Sequence, residues 1–108
     1  MPKKYYKIKL LKGAAVHVYF ETASGIIINF VVKLVFELNN KYYEIIRFDT
    51  AHGCPHKDVL NTEGKVIRKI WYDFLDYKQA LDVAIKDLKD NHELYLERSS
   101  TLFATAAK

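Results

Sequence analysis

Ile26-Ile27-Ile28-Asn29-Phe30-Val31-Val32-Lys33-Leu34-Val35-Phe36-Glu37-Leu38, followed by Asn39-Asn40 and Lys41-Tyr42-Tyr43-Glu44-Ile45-Ile46-Arg47-Phe48-Asp49, is the stretch that decides the fold. Even positions from Ile28 to Leu38 are apolar, whereas odd positions mix Ile27, Val31 and Val35 with Asn29, Lys33 and Glu37. A period of two with one clean face predicts a long central strand, buried on one side and partly covered on the other. Asn tolerates positive φ, so Asn39-Asn40 predicts a two-residue type I′ turn. That turn pairs Leu38 with Lys41, Phe36 with Tyr43, Leu34 with Ile45 and Val32 with Arg47. Tyr43 and Ile45 then join the apolar face, and Glu44 lies near Lys33 and Glu37 on the wetter one. Arg47 and Asp49 arrive on the core side, where burying charges alone costs several kcal/mol, so they must be paired or border a cleft. A slip of one residue reverses the assignment.

Working outward, Lys3 to Leu11 alternates as a strand with Tyr6, Ile8 and Leu10 inward, and its lysines suit a protected edge. Gly13 turns the chain into a second strand, Ala14 to Thr22, with Val16, Val18 and Phe20 on one face and His17 on the other. Beyond Asp49, Lys57–Leu60 and Lys65–Tyr72 form a second hairpin around Asn61-Thr62-Glu63-Gly64. Trp71 is expected to anchor the core. Asp76 with Gln79 makes a capping box, and Leu81, Ala84, Ile85, Leu88, His92 and Tyr95 follow as an apolar helical stripe. A helix from 77 to about 98 would span about 33 Å. The expected fold is therefore α+β: an antiparallel meander of five or six strands with one long C-terminal helix packed on a face. Residues 1–98 form the domain and 99–108 a flexible tail.

The composition agrees with one globular domain: 108 residues, half of them apolar and 28% charged. A single cysteine, Cys54, excludes an internal disulfide framework and favours a cytoplasmic setting. No signal peptide is apparent, and Ile26–Leu38 is too short and too charged to span a bilayer, so no membrane partner is expected. Charge is uneven. Residues 1–72 hold twelve Lys/Arg against six Asp/Glu (+6), while residues 73–108 hold five against seven (−2). A basic sheet face could meet phosphates or an acidic partner, although lysines also serve plain solubility.

Chemistry concentrates in Arg47-Phe48-Asp49-Thr50-Ala51-His52-Gly53-Cys54-Pro55-His56-Lys57-Asp58. Metal-independent phosphodiester chemistry needs an acid, a base and cations for the phosphate. His52 and His56 could be the acid and base because imidazole titrates near neutrality. Asp49 would orient them, while Arg47 and Lys57 would hold phosphate, with Asp58 on the same substrate-binding side. A divalent metal on Asp49, His52, His56 and Asp58 is a lesser alternative, lacking any standard ligand spacing. Cys54 as a nucleophile is a third reading. In a fourth, Arg47 pairs with Asp49 or Asp58 and the loop merely joins two hairpins.

The same twelve residues, with Glu63-Gly64 and the helix Gln79-Ala80-Leu81…Ala84-Ile85-Lys86-Asp87-Leu88-Lys89, resemble a family of short uncharacterised archaeal and bacterial proteins. That family carries an Arg-aromatic-Asp-Thr-Ala-His-Gly box and a His-basic-Asp step, and the likeness covers roughly residues 26–98. The family is in turn distantly similar to TumE-type toxins of toxin–antitoxin pairs, which carry an aromatic-Asp-Asn box and a His-basic-His step. This chain has Thr50 where those toxins have Asn, and Asp58 where they have the second His. The resemblance implies a small cytoplasmic, toxin-like protein paired with a DNA-binding antitoxin. The resulting expectation is a protein acting on RNA or another phosphate-bearing substrate, with no cofactor and no metal. The alternative is a non-catalytic binding module or homodimeric assembly unit.

Overall fold

The apolar face of Ile26–Leu38 needs a cover, and the chain supplies one from its own C-terminus. The structure, a computed structural model, describes residues 2–11 and 13–106, the last seven of these by backbone alone. Six strands run β1 (Lys3–Lys9), β2 (Ala14–Ala23), β3 (Ile26–Leu38), β4 (Lys41–Asp49), β5 (His56–Leu60) and β6 (Val66–Trp71). They form one antiparallel sheet in sequence order, the expected meander. A single helix, α1 (Tyr77–Ala106), follows them. Asp76 and Gln79 start it reciprocally: Gln79 N–H donates to Asp76 Oδ1 at 2.7 Å and Asp76 N–H to Gln79 Oε1 at 3.0 Å. Helical backbone continues past residue 98 to Ala106; the side chains of the expected tail beyond Ser99 lie outside the described residues.

Val16 and Val18 of β2, Phe30, Val32 and Leu34 of β3, and Ile46 and Phe48 of β4 meet Ala80, Leu81, Ala84 and Leu88 of α1 in the core. Ala80 and Ala84 keep the helix close, because an alanine adds little between its backbone and the sheet. The helix lies over β2, β3 and β4, leaving the outer strands largely uncovered. Among the described residues no helix is long and apolar enough to cross a membrane.

One part of the expected register is corrected. Leu38 pairs with Lys41 and Phe36 with Tyr43, and both turn asparagines take positive φ, as the type I′ turn requires. Beyond them a bulge intervenes: Val35 faces Glu44, but Leu34 faces Ile46, Lys33 faces Arg47 and Val32 faces Phe48. Straight alternation would bury Arg47 and Asp49 and expel Phe48. The adjacent Ile45 and Ile46 let both side chains go inward, 3% and 1% exposed, and the extra residue flips the strand's phase. Arg47 and Asp49 therefore stand on the face away from α1. Glu44 meets Lys33 as expected, 2.8 Å from its Nζ.

Trp71 is the second correction. It is 47% exposed, on the helix-free face. Its register partner is His56, already on that face opposite Asp49, and α1 packs chiefly on β2, β3 and β4.

Candidate functional site

The meander aligns two rows of side chains across the helix-free face. One runs Lys7, His17, Lys33, Arg47, Asp58, Lys69; the next runs Tyr5, Tyr19, Val31, Asp49, His56, Trp71. Pairing alone creates this arrangement, since directly opposed residues in an antiparallel sheet sit side by side on one face.

At the β1 end, Tyr5 Oη lies 2.6 Å from His17 Nδ1, and the two rings meet edge to face. Burial, then the charges of Lys7 and Lys33, holds the His17 imidazole below its usual range. Tyr19 Oη donates to the Glu21 carboxylate. Tyr5, His17, Tyr19, Val31 and Lys33 line an open hollow of about 440 Å³.

At the β4–β5 end the charges interlock. Arg47 Nε is 3.3 Å from Asp49 Oδ2, and its Nη2 donates to Asp58 Oδ2 at 3.5 Å. Nη1 lies 3.5 Å from Glu44 Oε2, and Lys69 Nζ 3.2 Å from Asp58 Oδ1. His56 sits inside this network, 2% exposed, with Nε2 at 3.0 Å from Asp49 Oδ1 and 3.5 Å from Asp58 Oδ2. Its Nδ1 faces the Cys54 carbonyl at 3.1 Å, and a carbonyl can only accept, so Nδ1 carries a proton. The Trp71 ring leans over the imidazole, centroids 5.0 Å apart, with Lys69 Nζ 5.2 Å from the indole centroid.

The motif residues build the loop that delivers these groups. Asp49 Oδ1 also accepts the Ala51 N–H at 2.9 Å, closing an Asx turn. Thr50 Oγ1 accepts the buried Phe30 N–H at 3.1 Å and so ties the loop to β3. A short 3-10 turn, Ala51–Gly53, follows, with His52 and Gly53 both at positive φ (67° and 75°). Glycine takes this conformation freely; His52 is carried into it beside Gly53. The Pro55 carbonyl accepts the Tyr72 N–H at 2.8 Å, joining the loop to the end of β6.

Four of the sequence-derived candidates thus come together: Arg47, Asp49, His56 and Asp58. Two do not. His52 is exposed in the 3-10 turn. Lys57 points through the sheet toward α1, where Nζ donates to Asp87 Oδ2 at 3.0 Å and Tyr95 Oη at 2.5 Å. It also lies 4.5 Å from the Tyr95 ring centroid. Tyr95 donates to Asp87 at 2.8 Å, and burial, that bond and the Asp87 charge push its hydroxyl well above its usual range. His92 does not join the loop; its Nδ1 faces the Lys89 carbonyl at 2.8 Å. Lys69, Trp71 and Tyr5 were missed as members of one surface, because only the assembled register brings residues from β1 and β6 into rows with β4.

No curated protein and no solved structure matches the chain. A family model matches residues 1–101, and the chain belongs to that family, described as a domain of unknown function (DUF7718).

Proposed function

We propose that the helix-free face binds single-stranded nucleic acid, RNA in the toxin-like role that the resemblance implies. The observation that carries this reading is the pair of adjacent rows across the sheet, one bearing Tyr5, Tyr19 and Trp71 toward its two ends and the other bearing Lys7, Lys33, Arg47 and Lys69. Single strands bind through aromatic rings that accept any base and cations that follow the backbone. Tyr5 at 62% and Trp71 at 47% exposure offer their rings to solvent. Lys7 and Lys9 make no ion pair among the described residues and are free for phosphate, whereas Lys33, Arg47 and Lys69 share their charge with Glu44, Asp49 and Asp58.

Cleavage asks for more. His56 is enclosed with both nitrogens engaged, so of the proposed acid–base pair only His52 stands in solvent. In this reading His56 positions Asp49 and the loop, and a DNA-binding antitoxin is the expected partner. The runner-up, a homodimeric assembly module, is favoured by apolar exposure at the β6 end, where Val66, Ile67 and Phe74 are 43%, 54% and 76% exposed.

Trp71 is the only tryptophan, so its fluorescence reports directly on stacking. Titration with oligouridine at low salt should quench it, and log affinity should fall linearly with log salt. A face that leaves Trp71 unquenched and shows no salt-dependent binding removes the nucleic-acid reading; dimers that protect Trp71 from added quencher would install the runner-up.

A further inference from the structure

We infer that Asp49, His56 and Asp58 form a divalent-cation site whose preferred occupant is a hard ion of the Mn²⁺ class. This differs from the metal-free expectation above and does not depend on nucleic-acid binding.

Spacing is the first argument. One ligand atom from each of the three residues falls within 4.8 Å of the others. Nε2 of His56 is 3.0 Å from Asp49 Oδ1 and 3.5 Å from Asp58 Oδ2. Metal bonds of about 2.1 Å meeting at right or tetrahedral angles place neighbouring donors about 3.0–3.4 Å apart. The two His56 separations already lie near that range, and the Asp49 and Asp58 oxygens, within 4.8 Å of each other, would close on an ion between them.

The second argument is the imidazole's orientation. With the Nδ1 proton committed to the Cys54 carbonyl, the other nitrogen is aimed at two carboxylate oxygens. A lone pair facing two anions is unfavourable unless something positive lies between, either a proton or a metal ion. A backbone carbonyl on the far nitrogen is the usual arrangement behind a metal-bound histidine.

Asp58 supplies an independent observation. Its side chain is 3% exposed, yet Oδ1 accepts no hydrogen bond, and neither does Arg47 Nε donate one. Both cations on Asp58, Arg47 and Lys69, stand off at 3.5 and 3.2 Å, whereas charge-assisted bonds close to about 2.8 Å. So deeply buried a carboxylate has two cations nearby but holds neither at close range, and its Oδ1 keeps no hydrogen bond. Lys69 already leans on Trp71 and Arg47 already reaches Glu44, so both cations have somewhere else to go when an ion enters. If His56 is doubly protonated beforehand, the ion takes the place of the Nε2 proton, which leaves to solvent.

One imidazole and two carboxylates, without a thiolate, suit Mn²⁺ better than a structural zinc. Trp71 gives a readout independent of any activity, because a paramagnetic ion bound to His56 lies close enough to quench it. The full-length protein, stripped with chelator, is titrated with Mn²⁺ while Trp71 fluorescence, the thermal midpoint and the free-ion electron paramagnetic resonance signal are followed. The expected result is saturable quenching, a rising midpoint and one bound ion per chain. Asp58→Asn and His56→Gln should each weaken binding by more than the about 10–100-fold that outer-shell changes cost. Should those buried variants fail to fold, Asp49→Asn, at a side chain 14% exposed, is the folded control that must also lose affinity. Absence of saturable binding up to millimolar Mn²⁺, or unchanged affinity in folded Asp49→Asn, overturns the site.

Discussion

Strand β5 sends consecutive residues into two different charged clusters, one on each face of the sheet. Lys57 enters the helix side, where Asp87 and Tyr95 meet it at 3.0 and 2.5 Å under cover of α1. His56 and Asp58 enter the open side, among contacts of 3.0–3.5 Å and with a buried oxygen left without a hydrogen bond. The first cluster is closed and complete, and its effect is to pin the helix to the sheet. The second is equally buried at its centre but loosely satisfied and bordered by exposed aromatics. Buried ionic groups with tight, full partnerships read as structural; those held apart beside an accessible surface are where binding chemistry belongs.

Which side chains reach which cluster depends on the β4 bulge, so removing it is the most severe way to break the contrast. Deleting Ile45 would turn Arg47 and Asp49 toward α1 and Phe48 outward. Burying two charges at several kcal/mol each exceeds or exhausts the about 5–15 kcal/mol of a typical domain. Circular dichroism should therefore find no cooperatively folded deletion variant; a native-like one would mean the bulge does not set the faces.

Next in size is Lys57→Ala, which takes the only cation among the described residues from a mostly buried Asp87 still held by Tyr95 and Asn91 and should cost about 2–3 kcal/mol in denaturant unfolding. Lys57→Met, keeping the apolar stem against Phe48 and Tyr95, should cost far less. Equal losses would show that packing rather than charge pairing holds the helix. On the open face the pattern should invert: Trp71→Ala should weaken oligouridine binding by about 1–3 kcal/mol while costing less stability than Lys57→Ala. A large stability loss there would assign Trp71 to the scaffold.

Alkaline pH sharpens the comparison further. Tyr95 holds its proton above its ordinary range in the native state, so above pH about 10 the unfolded chain ionises while the folded one does not. The unfolded state then binds fewer protons, and stability falls as pH rises. Tyr95→Phe should make that decline shallower; an unchanged slope would clear Tyr95 of the effect. The smallest change expected is Glu44→Gln, whose pairs with Lys33 and Arg47 are about one-third exposed and together worth less than about 1 kcal/mol.

Much of this was legible locally. Alternation marked β2 and β3, paired asparagines marked the turn from β3 into β4, and Asp76 with Gln79 and a three-and-four spacing marked α1. Each of those signals depends on neighbours a few residues away. The gathering of Arg47, Asp49, His56 and Asp58 was also within reach, because they cluster in one stretch of chain.

The faces were another matter. A period-two pattern carries no memory across a bulge, and the bulge at Ile45 forms because two isoleucines find the core while two charges escape it, a balance decided by β3 and α1. Likewise nothing near His56 in sequence announces its burial, which comes from Trp71 fifteen residues later, and nothing near Lys57 announces Asp87. By itself the sequence determined the meander, the helix and the charged stretch at their centre, since these follow from short-range periodicity and turn chemistry. Tertiary structure alone decided which charges share a face, because the side a strand residue occupies is a global property of register, set by the residues that must be buried opposite it.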